Sequence, residues 1–166
     1  MTVVMGVDPG ISGAVAFFYP QTPDRVSVFD VPVAGGEIDT TGLADLIKTH
    51  GPTIAMVERA QAFKGQGVVS TFNFGRSYGC ILGVVGAMQI PLHLVPPGVW
   101  KKALGLTADK EQSRLRVIRM FPVVADQFCL KRHHGRAEAS FIALYGAHCL
   151  GTVLNDRELR ARPQKW

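Results

Sequence analysis

The sequence predicts an α/β domain built on a mixed sheet, and three observations carry that reading. Short apolar strands alternate with helix-length segments along the chain. The first three strands follow one another through brief connections rich in Gly, Pro and Asp, while the later strands are separated by helical stretches. Closely spaced strands pair as an antiparallel meander, and strands separated by a helix return parallel through crossovers. The fold class is therefore a three-stranded antiparallel meander joined to parallel strands, five strands in all, flanked by helices. With 166 residues, 47% of them apolar, the chain supports one domain with a core. That domain is read as residues 1–154, followed by a basic tail, "NDRELRARPQKW", over 155–166.

Each element has its own signal. Residues 3–7, about 13–19 and about 26–31 are apolar runs bounded by turn residues, as strands require. "DTTGLADLIKTH" carries Leu43, Leu46 and Ile47 at helical spacing, with Gly51-Pro52 as its stop. "TIAMVE", 53–58, is a compact strand ending in Glu58. Residues 67–89 read as a helix in which Gly75, Gly79, Gly83 and Gly86 each cost stability but permit close backbone approach, so a tightly packed core helix is expected. "IPLHLV", 90–95, is a strand running into Pro96-Pro97. "TADKEQSRLRVIRMFP" is a helix with Leu115, Ile118 and Phe121 on one face and the arginines off it. "GRAEASFIALYGAHCL" is a final helix, apolar on most sides and so buried.

The bulk properties narrow the class. No apolar run is long enough to span a bilayer, and the N-terminus lacks the order of a secretory signal, so no membrane partner is expected. Cys80, Cys129 and Cys149 are odd in number and outside any CxxC spacing, which fits reduced thiols in an intracellular protein. The net charge of +5, with cations crowded into the second half, is compatible with a polyanionic partner.

Three acids stand out by context. Asp8 ends the first strand, Glu58 ends the fourth, and Glu138 sits in the first turns of a very apolar helix. Singly, each has an ordinary explanation: a turn residue in Asp-Pro-Gly, an ion pair with Arg59, an acid at a helix N-terminus. Together they point to a shared divalent site, because the first and fourth strands can lie side by side and a buried carboxylate needs a counter-charge. Mg²⁺ or Mn²⁺ accepts a few carboxylates with waters and phosphates completing the shell. Two such ions, about 3.5–4 Å apart, clamp the attacking and leaving oxygens of a phosphodiester. His134 precedes Glu138 by four residues and shares its face if the helix already includes it. The imidazole is then a ligand or a base; otherwise "KRHHGR" is a polar loop, and His133 stands as a second candidate.

Six segments in order carry a family resemblance: "GVDPGISGAVAFF", "MVERAQAF", "FNFGRSYG", "VPPGVWKKALGL", "DKEQSRLRVIRMFP" and "KRHHGRAEASFIALYG". Over roughly residues 2–150 the chain resembles the RuvC-like Holliday-junction resolvases, most of all the branch with phage-type and chloroplast-type enzymes. The resemblance implies a ribonuclease-H-like fold and a homodimer that nicks two opposing strands of a four-way DNA junction. It implies a two-ion site of Asp8, Glu58, His134 and Glu138, loaded with Mg²⁺ or Mn²⁺, and no small-molecule cofactor. The best-known bacterial members carry two acids three apart in the final motif, so His134 departs from their pattern. Lys101, Lys102, Lys110, Arg114, Lys131, Arg132 and Arg136 would contact phosphates. Gln61, Phe63 and Lys64, in the glycine-bounded loop after Glu58, would reach the junction centre, where Phe63 either stacks on bases or simply packs. The implied location is the cytoplasm of a bacterial or phage-infected cell, or an organelle for a plant-type homologue.

Rival readings differ in class. "VDPGISGAV" also resembles the phosphate hairpin of actin-like ATPases and sugar kinases, but no second phosphate loop follows it. A non-catalytic junction-binding protein gains nothing from three acids facing phosphates. A ribonuclease-H-like nuclease for flaps, hybrids or duplex shares the chemistry and differs in substrate.

Overall fold

In the computed structural model, which describes residues 1–61 and 65–151, the strands β1 (Val4–Asp8), β2 (Ala14–Phe18) and β3 (Val26–Asp30) form the expected meander. The β1–β2 connection, residues 9–13, is closed by the Gly13 N–H on the Gly10 carbonyl at 3.1 Å. After β3 comes a small hairpin, β4 (Val33–Ala34) and β5 (Glu37–Ile38), absent from the expected order. Its Gly35-Gly36 turn has φ of 59° and 79°, a pair of left-handed residues that tight hairpins favour.

Helix α1 (Thr40–His50) starts at Asp39, whose carboxylate accepts the Gly42 N–H, and stops at left-handed Gly51. β6 (Ile54–Glu58) then enters beside β1, parallel to it, and β7 (Leu92–Val95) enters parallel beside β6. The sheet order is β3-β2-β1-β6-β7, so the first and fourth strands of the meander-plus-crossover scheme are neighbours, as expected. The mixed five-stranded sheet flanked by helices is the predicted fold class.

Both faces of the sheet are covered, which is why β1 and β2 are apolar at almost every position. On one face Met5, Val7, Val15, Phe17 and Val57 pack on Leu43 and Ile47 of α1 and on Ile81 and Val85 of α2 (Val68–Ala87). On the other, Val4, Ala16, Phe18, Val28 and Met56 pack on α5 (His134–Cys149). α5 is buried along most of its length, as its composition indicates. It lies unusually close: a Cβ on Gly6 would run into the Ala139 carbonyl and the Ala143 amide.

Three local expectations are corrected. α2 is not a tightly packed core helix, because only Ser77, Ile81 and Val85 are buried and a Cβ on Gly75, Gly79, Gly83 or Gly86 would meet nothing within 4 Å. A further helix, α3 (Pro97–Ala103), follows β7 directly; Pro97 supplies its first turn. In α4 (Lys110–Met120), capped by Asp109, the inward face carries Ser113, Arg114 and Val117, whereas Leu115 is exposed. Of the expected face, Phe121 is in the core and Ile118 packs against it, while at Leu115 the expectation fails: the neighbouring Arg114 guanidinium turns in instead, donating to the carbonyls of Phe128 and Cys129 and pairing with Glu111. Two short 3₁₀ segments, Pro122–Phe128 and Lys131–His133, link α4 to α5.

Replacing Gly6 by Ala forces β1 and α5 apart along backbone that cannot rotate away. We expect about 3 kcal/mol or more of destabilisation, seen by calorimetry as a melting midpoint roughly 6–12 °C lower.

Candidate active site

One row of the sheet collects the acids. Asp8 lies opposite Ala14, and Ala14 opposite Asp30. Val7 lies opposite Val57, which brings Glu58 next to Asp8 at the same end of the parallel pair. Opposed residues on paired strands point to one face. Gly6, two residues before Asp8, abuts α5, so this row faces the α5 layer. The first turn of α5 meets it directly: a Cβ on Gly135 would stand 3.0 Å from Asp8 Oδ2. Glycine is the residue that lets a helix N-terminus sit on a carboxylate, where amide dipoles favour negative charge.

Glu138, buried one turn further along α5, completes the group. Its Oε1 accepts a hydrogen bond from Lys101 Nζ at 2.8 Å. Glu58 Oε2 accepts the indole N–H of fully buried Trp100 at 2.8 Å, instead of pairing with adjacent Arg59. Trp100 and Lys101 are consecutive on α3, so one short helix addresses two of the acids. The Lys101 ammonium also lies 5.0 Å from the Trp100 ring centroid.

The electrostatics are strained at Asp8. Burial pushes its carboxyl up to about 8, and the charges of Glu138 and then Glu58 push the same way, against Lys110 and Lys101. Burial likewise raises Glu58, with the Trp100 hydrogen bond opposing it and Glu138 adding to it. Among the described residues, no three His, Cys, Asp or Glu side chains stand close enough together to hold an ion as placed. Their chemistry still fits one: three carboxyl groups within mutual electrostatic reach, on one face, with Asp8 short of counter-charge.

The two histidines separate. His134 opens α5 one turn before Glu138, and its Nδ1 lies 3.1 Å from the Lys131 carbonyl. A proton on Nδ1 donated there leaves the lone pair on Nε2, the tautomer a metal or a water proton needs. His133 is buried, its Nδ1 accepting the Leu130 N–H at 3.3 Å, and burial with nearby Arg136 holds it below its usual range. His133 is thus a packing residue between the 3₁₀ segment and α5.

The expected DNA contacts divide as well. Gln61, Lys102, Lys110, Lys131 and Arg132 are exposed, and Lys101 is half-buried at the acids. Arg114 is not on the surface; it is 7% exposed and its guanidinium is bound inside, so its expected place along DNA arms is corrected. Arg136 is also engaged, donating through Nε and Nη2 to the two carboxylate oxygens of Asp30 at 2.7 and 2.8 Å and through Nη1 to the Gln127 carbonyl. That fork holds Asp30 below the ordinary carboxylate range. Phe63, Lys64 and the 155–166 tail lie outside the described residues.

Known proteins resemble this chain in sequence and in fold. The crossover junction endodeoxyribonuclease RuvC of Acinetobacter baumannii is 26% identical over 172 residues, covering 93% of this chain and 91% of that protein. RuvC of Acinetobacter baylyi is 25% identical over 173 residues, covering 97% and 91%. Thermus thermophilus RuvC, solved in complex with a Holliday junction substrate, superposes with a TM-score of 0.63 at 16% identity over 92% of this chain and 98% of that one. The chain is similar to RuvC along nearly its whole length. The yeast mitochondrial Holliday junction resolvase Ydc2 also superposes, with a TM-score of 0.56 at 14% identity over 91% of this chain and 81% of that one. No family model matches the sequence.

Two residues at the site escaped sequence reasoning. Trp100 lies fully buried in the core, and its tie to Glu58 depends on α3, whose only signal is Pro97 at a helix start. Asp30 ends β3 as Asp8 ends β1, and its place in the row needs the strand register.

The proton held by Asp8 sets a pH dependence. Between pH 3.8 and about 8 the folded carboxyl keeps a proton that the unfolded chain loses. Unfolding then releases a proton, so metal-free stability falls as pH rises through this window. Asp8→Asn removes that slope: in chelator, melting midpoints of wild type and variant should diverge as pH climbs from 5 to 8, the variant being higher. A gain of about 2 kcal/mol would show as roughly 4–8 °C.

Proposed function

We propose that the protein is a divalent-metal-dependent endonuclease that resolves four-way DNA junctions by paired symmetric nicks. The observation that carries this reading is the set of carboxyl groups at one sheet end, with Asp8 pushed up to about 8 in a chain RuvC-like over nearly its full length. Asp8, Glu58 and Glu138, with Nε2 of His134, would hold Mg²⁺ or Mn²⁺, since oxygen donors with one imidazole suit these hard cations. Two bound ions would supply an activated water and neutralise the leaving oxygen. The "HGRAEA" segment with His134 favours the phage-type and chloroplast-type branch.

The chain's own groups do the rest. Trp100 fixes the Glu58 carboxylate by its indole N–H, and Lys101 offsets the charge of Glu138. Lys102, Lys110, Lys131 and Arg132 are exposed and supply sequence-independent phosphate contacts. Gln61, and in the same loop Phe63 and Lys64, would meet the junction centre.

Paired cuts need two sites, and α2 offers a surface for a second copy. Val68 and Phe72 are 85% and 67% exposed, and Gly75, Gly79, Gly83 and Gly86 continue the same stripe at helical spacing, open to solvent. An apolar stripe with no side chains along most of it lets another helix approach closely.

The substrate is tested by offering labelled four-way junction, flap and linear duplex with Mg²⁺, Mn²⁺ or chelator. Symmetric paired nicks on the junction alone, lost in chelator, are expected; equal cutting of duplex would overturn the substrate. Asp8→Asn should bind the junction within about threefold of wild type while cutting at least about 10³-fold more slowly, an effect of ion placement. Phe72→Glu should convert dimer to monomer in analytical ultracentrifugation without changing the circular dichroism spectrum.

A further inference from the structure

Asp30 and Arg136 are an ion pair that the proposed chemistry leaves unused. Arg136 is the residue after Gly135, so consecutive positions in the first turn of α5 address two acids of one sheet row: Gly135 abuts Asp8, and Arg136 grips Asp30. The two acids are separated only by Ala14 on β2. Adjacent strands are about 4.8 Å apart, which places the two anchor points about 10 Å from one another across the sheet. Contact at Gly135 alone would leave the helix end free to swing about Asp8. A second anchor off to one side removes that swing.

The anchor is built for direction. Arg136 uses a two-pronged grip on Asp30, which a lysine cannot reproduce. Its third bond, to the Gln127 carbonyl, ties the preceding 3₁₀ segment to the same point. The arginine side chain is 18% exposed and that of Asp30 67%, so the grip closes at the rim of the site without being sealed inside it. His134 precedes this clamp by two residues, and Glu138 follows it by two.

We infer that Asp30 and Arg136 are positioning residues: their pairing fixes the first turn of α5 against β1–β3, and so sets where His134 and Glu138 stand relative to Asp8. This inference rests on the endonuclease reading for its catalytic consequence. Neither residue touches the reacting phosphate. Loss of the pair leaves the fold intact, since the buried body of α5 holds the sheet, but lets the ligand-bearing turn drift. Displacements of about 1 Å at such a site cost on the order of 10²-fold in rate.

The test compares Asp30→Asn, Arg136→Lys and the double variant with wild type in three measurements. These are single-turnover cutting at saturating junction, junction affinity in chelator across salt concentrations, and the Mn²⁺ concentration that half-saturates the rise in melting midpoint. Each single variant should cut about 10- to 100-fold more slowly and need several-fold more Mn²⁺, with junction affinity and its salt slope unchanged. The double variant should be no worse than either single, since one interaction is lost in all three. Asp30→Glu, which keeps a two-oxygen partner, should recover most of the Mn²⁺ response. Unchanged cutting and Mn²⁺ response, or losses that multiply in the double variant, would overturn the inference. So would a salt slope lowered by about one in Arg136→Gln, measured alongside, which would make Arg136 a phosphate contact. If wild type itself fails to cut junctions, the endonuclease reading falls, and the Mn²⁺ comparison still decides the role of the pair.

Discussion

The backbone of α5 rests directly on β1 at Gly6, and the site is arranged by that contact. With no side chain between them, the helix and the central strand are fixed at a separation set by the Ala139 carbonyl and the Ala143 amide. One turn and a little further toward its N-terminus, the same helix brings Gly135 onto the Asp8 carboxylate and Glu138 into the buried layer beside it. A bulkier strand residue would lift the helix, and the acids would return to water. The high proton affinity of Asp8 is thus a product of packing: burial comes first, and the neighbouring glutamates add to it.

Charge in this chain is more committed than its composition indicates. The net +5 counts Arg114, Arg136, Lys101 and Arg76 as cations, yet each is bound to an acid within the chain: Glu111, Asp30, Glu138 and Glu37. Arg114 works as a strut from inside α4, gathering two backbone carbonyls of the linking 3₁₀ segment. Arg114 turns inward while the adjacent Leu115 is exposed, the one position of the α4 face where apolar spacing alone misleads.

Most of the architecture was legible because it follows from patterns of period and punctuation. The meander, the crossovers and the burial of the last helix all come from runs of apolar residues between turn signals, and the acids at the ends of β1 and β6 meet because parallel neighbours end together. What stayed hidden has short range or wrong-way chemistry. The β4–β5 hairpin has two residues per strand, too few for alternation to show. α3 spans seven residues between prolines and a glycine and reads as loop. The outward face of α2 was mistaken for a packed one, since recurring glycines look the same whether their partner is in the chain or beyond it. Arginines turned inward at 114 and 136 are indistinguishable in sequence from arginines turned toward DNA.

The bond between Lys101 and Glu138 has one further implication. A tethered ammonium already sits where a buried glutamate would otherwise demand a cation from solution, so the acidic layer has a resting configuration of its own. Folding and cation binding are thereby uncoupled: the chain can close its buried acidic layer on an ammonium of its own, with no ion drawn from solution.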